Sequence, residues 1–151
     1  MMKEIKDKLF KACEAYVQER ISRISLAMSD LESDLENETK SSAGDKYETG
    51  REMINLEWNK LSTQLQQFKK LKETLEMAKS NKTAEEIKLG SLVKTENANY
   101  LIAIPAGVIT LGSETWFAVG ANAPIAQALL NKKKGEDFSF NGTKDKIISV
   151  D

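Results

Sequence analysis

Apolar side chains recur every third or fourth position through the first half of the chain. Ile21, Ile24, Met28, Leu31 and Leu35 step by 3, 4, 3 and 4, and Leu9, Cys13, Tyr16 and Val17 carry the series toward the N-terminus. A second series, Ile54, Trp58, Leu61, Leu65, Phe68, Leu71 and Leu75, steps by 4, 3, 4, 3, 3 and 4. These are heptad-like seams, the spacing at which two helices pack along their length. Between them lies Lys40-Ser41-Ser42-Ala43-Gly44-Asp45, rich in turn and cap residues, and Asp45-x-x-Glu48 has the form of a capping box. A short loop between long helices makes them antiparallel neighbours. The pattern therefore predicts a hairpin over residues 1–79, each helix about 33 residues and roughly 50 Å long. A dimerising coiled coil is the other reading of such seams.

The period changes after Ser80-Asn81-Lys82, and residues 80–86 read as a linker. Both prolines and six of the eight glycines lie beyond residue 86. Strand-like runs cover 87–95, 100–104, 108–111, 115–119, 138–140 and 147–150. Pro124 suits the first turn of one short helix running through Ile125, Ala126, Ala128, Leu129 and Leu130, and Gly135 ends the turn after it. Strands with a single helix over residues 87–151 predict a small α+β domain, packed little against the hairpin.

Charge adds a gradient that the total hides. The 22 basic and 23 acidic residues nearly cancel, which argues against holding nucleic acid by bulk electrostatics. Yet Asp30, Glu32, Asp34, Glu36, Glu38, Asp45 and Glu48 gather around the expected hairpin turn, opposed only by Lys40 and Lys46. Like charges at Asp30, Asp34 and Glu38 are spaced i, i+4, and acids late in a helix oppose its dipole. Stability alone favours lysine there. Either the tip presents carboxylates to a cation or basic site, or it is an ordinary solvated face; for Asp45 and Glu48 capping favours the structural reading.

There is no histidine and one cysteine, Cys13. Histidine-based catalysis and thiolate metal sites are thereby excluded, and Cys13 reads as a core residue. The charged N-terminus lacks the apolar run of a signal peptide, and the longest apolar stretch, 100–111, falls short of the ~20 residues of a membrane helix. A cytoplasmic protein is expected.

Several segments carry a family resemblance. Ala123-Pro124-Ile125-Ala126-Gln127-Ala128-Leu129-Leu130-Asn131-Lys132, followed by Gly135-Glu136-Asp137-Phe138, resembles the C-terminal signature of Gre transcript-cleavage factors. Ile87 to Val93 is similar to the strand opening their C-terminal domain, and Asp45 to Glu52 resembles the tyrosine-containing stretch that opens their second helix. The resemblance implies an FKBP-like α+β domain behind the hairpin. It also implies a bacterial transcription elongation regulator with RNA polymerase as partner, the hairpin in the secondary channel and the globular domain docked at the rim through Ala123, Pro124 and Ile125.

On that view the chain is a monomer and no enzyme itself. Nucleic acid, DNA included, is met only within the polymerase complex, and there is no membrane partner. It holds no intrinsic cofactor; tip carboxylates, with Glu38, Asp45 and Glu48 nearest the turn, would help hold Mg²⁺ at the polymerase's own site. The chain also departs from the family pattern. Ala123 stands for serine, Asn131 for glycine, and the family's paired tip acids fall on Lys40 and Ala43. A secondary-channel regulator that does not stimulate cleavage is therefore the alternative. A further one, from another class, is an FKBP-like peptide-binding or isomerase module with Tyr100, Trp116, Phe117, Phe138 and Phe140 around its pocket.

Overall fold

The structure, a computed structural model, describes residues 2–40 and 44–151, without the side chains of residues 38–40 and 44–48. Its elements are α1 (Met2–Lys40), α2 (Gly44–Ser80), β1 (Leu92–Thr95), β2 (Asn99–Ala103), β3 (Gly107–Leu111), β4 (Glu114–Gly120), α3 (Pro124–Leu129), β5 (Asp137–Phe140) and β6 (Thr143–Val150). The fold is α+β, a long helical hairpin followed by a six-stranded mixed sheet. The chain divides into two compact units. One holds residues 17–70, and the other holds residues 1–16 with 71–151.

In the first unit, α1 and α2 meet along the two seams. Leu31 and Leu35 face Ile54 and Trp58 around a small void of about 260 Å³ that Glu32 and Asn55 also line. Burial is sparse here. Among the described residues only Val17 and Ile24 are fully buried, while Met28, Leu31, Leu61, Leu65 and Phe68 are half-buried. Two helices alone cannot enclose a seam, because each residue on it has one side facing solvent.

In the second unit the sheet order is β3-β4-β2-β1-β6-β5, with β2 and β4 parallel and every other neighbour antiparallel. Period-2 alternation gives the sheet two apolar faces. One carries Val93, Ile102, Phe138 and Ile147 under Ile125, Ala126 and Leu129 of α3. The other carries Leu92, Leu101, Ala103, Trp116 and Ala118, all buried. Among the described residues of this unit, the base segments of α1 and α2 remain to cover that second face. In these segments Leu9, Phe10, Cys13, Leu75 and Ala78 are buried, and Lys79 Nζ lies 3.0 Å from Glu14 Oε1 between the two.

Gly90 marks the junction. Its φ is +98°, and a Cβ placed on it would sit 2.3 Å from the Ala78 carbonyl oxygen. Only glycine satisfies both demands. The Asn81 side chain donates to the Leu89 carbonyl at 2.8 Å beside it. The hairpin base is thus built into the sheet unit, unlike the loose arrangement expected from the sequence. The same turn explains why the strand expected over 87–95 starts at Leu92: Ile87 instead exchanges backbone hydrogen bonds with Asn131 and Lys132.

Candidate functional site

Glu38, Asp45 and Glu48 have side chains outside the described residues. On the described part of the arm, Asp30, Glu32, Asp34 and Glu36 are all solvent-exposed. At 100° per residue, Asp30 and Asp34 lie on one side of α1 and Glu32 and Glu36 on the opposite side, so the four do not converge on one point. Among the described residues no group of three potential metal ligands comes together.

The globular unit contains a defined cleft. Pro124 occupies the first turn of α3, where its missing N–H costs nothing. Ala123, at the N-cap, makes no side-chain capping bond. Pro124 is exposed, Ala123 is half-buried, and Ile125 turns inward with 8% of its surface exposed. Its inner side reaches a cleft of about 240 Å³, walled by Tyr100, Phe138 and Phe140 and rimmed by Asn97, Asn141, Thr143 and Asp145.

The hairpin of β5 and β6 makes the rim. Asn141 (φ 53°) and Gly142 (φ 77°) have the two left-handed residues of a type I′ turn, which pairs Phe140 with Thr143 and Phe138 with Asp145. Asp145 Oδ1 accepts the Glu96 backbone N–H at 3.1 Å, fixing the carboxylate at the cleft edge. Burial pushes the Tyr100 hydroxyl above the usual phenol range, with the Asp145 charge adding to the same direction. Among the eight lining residues Asp145 is the one charged side chain.

The apolar surface continues past the cleft. Val108, Phe117 and Tyr100 stand side by side in register on β3, β4 and β2. Val108 is 61% and Phe117 37% exposed, and the Phe117 and Tyr100 ring centroids are 5.9 Å apart.

Of the aromatic set named from the sequence, Tyr100, Phe138 and Phe140 do come together. Phe117 touches Tyr100 at the margin. Trp116 lies on the opposite face, buried with its Nε1 unpartnered among the described residues and Lys94 Nζ 5.7 Å from the ring centroid. Period 2 dictates this, since neighbours along a strand point to opposite faces. Ile125 had been named for its place in the docking segment. Sequence reasoning missed Asn97, Thr143 and Asp145 as cleft residues; the Asn141-Gly142 dipeptide was the signal that would have paired the strands. Asn131 adopts φ 70°, the left-handed conformation that asparagine tolerates among L-residues.

No protein-family model matches this chain, and no curated protein does. Among solved structures, the chain is similar to the transcription factor Gfh1, with 17% identity over 89% of this chain and 90% of that one, at a TM-score of 0.34. Nothing about this chain's activity follows from a likeness at that level. No helix among the described residues is long and apolar enough to cross a membrane.

Proposed function

We propose that this chain is a Gre-type regulator of RNA polymerase, with the helical arm entering the secondary channel and the α3 surface docking at the rim. The observation that carries the reading is the arm itself. Two helices of 39 and 37 residues bury little between residues 17 and 70, while the base of α2 lies close against Gly90 at Ala78. Packing gains so little from such an arm that its use lies in reaching something. The acids at its end match a target that holds a metal or a basic lining. The local resemblances at residues 45–52, 87–93 and 123–138 supply the identity of that target.

On this reading the chain performs no catalysis by itself. The tip carboxylates Glu38, Asp45 and Glu48 would supply ligands to Mg²⁺ already at the polymerase site, and phosphodiester cleavage would belong to the polymerase. Lys40 and Ala43, at the places of the family's acid pair, favour a second reading in which the arm occupies the channel without supporting cleavage. Backtracked complexes of the cognate polymerase, incubated with this chain, separate the two. RNA shortening above the polymerase-alone rate supports the first. Binding without shortening supports the second. Absence of binding removes both. A third reading, a peptide-binding module, draws on the cleft of Tyr100, Phe138 and Phe140; saturable binding of proline-containing peptides that Phe138→Ala abolishes would support it.

A further inference from the structure

The sheet has two edges, and they differ in kind. β5, four residues long, is flanked by Glu136 and Lys134 and carries Asp137, the charges and shortness by which edges resist pairing. β3, five residues long, sits in an uncharged stretch from Pro105 to Ser113. Its hairpin to β4 turns through Gly112 (φ 61°) and Ser113, a two-residue loop with glycine first. Leu111 and Glu114 close that hairpin as a hydrogen-bonded pair. Alternation then makes Ile109–Trp116 and Gly107–Ala118 hydrogen-bonded, and Thr110–Thr115 and Val108–Phe117 not. The N–H and C=O groups of Val108 and Thr110 therefore point outward, off the sheet edge.

We propose that β3 is a self-pairing edge that joins a second copy of this chain, antiparallel about a two-fold axis at Ile109. The outward residues are two positions apart, which makes the strand its own complement. Val108 meets Thr110 of the second copy, Thr110 meets its Val108, and each pair exchanges both N–H···O bonds. No charge between residues 105 and 113 opposes its own copy across the axis. Val108, 61% exposed, and Thr110, also exposed, lose solvent on pairing, and the row of Val108, Phe117 and Tyr100 runs on to the join. This departs from the monomer expected from the sequence and is independent of the polymerase reading. A contact of so few residues falls below the ~1,200 Å² of stable interfaces, so the dissociation constant should lie between about 10 µM and 1 mM.

Sedimentation equilibrium of the full chain up to about 1 mM, together with residue-resolved amide exchange, tests the proposal. The expected result is a monomer–dimer equilibrium in which the Val108 and Thr110 amides become slower to exchange as concentration rises. Thr110→Pro deletes an outward donor without touching the ladder to β4, so it should raise the dissociation constant on the order of tenfold or more. Val108→Lys, at an exposed position, should do the same and serves if the proline variant misfolds. Leu56→Lys, at an exposed apolar position on the arm, should leave the dimer unchanged. A monomer throughout the range overturns the proposal. So does a dimer that survives both β3 variants, or one abolished by Leu56→Lys, which would place association on the arm.

Discussion

Replacing Gly90 by alanine should be among the most damaging single-methyl additions in this protein. Two separate penalties apply. A φ of +98° is a conformation that L-residues adopt at about 1–2 kcal/mol. The added Cβ would also lie 2.3 Å from the Ala78 carbonyl oxygen and 3.1 Å from its carbon. That obstacle is backbone of a helix that holds buried Leu75 and Ala78, so relief requires moving α2 away from the sheet, with overpacking worth about 1–3 kcal/mol. Together the loss should be about 2–5 kcal/mol, against a total stability of about 5–15 kcal/mol. Gly135→Ala separates the two terms, because Gly135 has φ +89° but open space around its missing Cβ. It should lose only the about 1–2 kcal/mol of backbone strain. Urea unfolding monitored by Trp116 fluorescence, in a Trp58→Phe background, reads the sheet unit. The Gly90 variant should show the lower midpoint at unchanged slope, with a melting temperature on the order of 10 °C below the wild type. Equal losses in the two variants would refute the close approach of Gly90 to α2.

Four further predictions follow the same logic. Burial pushes the Cys13 thiol up to about 11, with the neighbouring Glu14 charge contributing; a folded-state value above the unfolded one means that stability present at neutral pH is lost as pH rises from about 8.5 toward 11, and Cys13→Ala should flatten that decline in pH-dependent denaturation. Ile125→Asp should destabilise the sheet unit by about 3 kcal/mol or more, since the carboxylate would sit in the core under α3, so calorimetry must accompany any binding assay on it; Pro124→Arg, at an exposed position, should leave the melting temperature nearly unchanged while weakening polymerase pull-down. Lys94→Met removes a 2.8 Å ion pair with Glu114 and the cation above Trp116, both partly solvated, and should lower stability by no more than about 1 kcal/mol in urea titration. Asp45→Asn deletes a charge at nearly unchanged size, so loss of transcript cleavage with an unchanged melting temperature would assign the tip a role in the chemistry.

Much of the fold was legible because its signals are local. The 3-and-4 steps of Ile21 to Leu35 and Ile54 to Leu75 are helical seams, and α1 ends at Lys40 and α2 starts at Gly44, on either side of the expected turn. All six strand-like runs became strands, and Pro124 begins α3 as expected. The misses are cases where distant residues decide. β6 begins at Thr143, four residues ahead of its apolar run, because Lys144 and Lys146 face solvent and leave no hydrophobic mark. β1 begins late because Gly90 bends under α2. The cleft joins residues from 97 to 145, and no period within one segment could assemble Asn97, Tyr100, Ile125 and Asp145.

The central claim is that the arm reaches into the polymerase while the α3 surface holds its rim. A photo-crosslinking residue placed at exposed Thr49, near the start of α2, tests it most directly when the full chain is mixed with the cognate core polymerase. The account predicts crosslinks to polymerase segments lining the channel to the active centre, and a second crosslinker at Pro124 should mark the channel rim. Crosslinks from Thr49 to the outer surface of the polymerase alone, or from neither position at saturating polymerase, would contradict it.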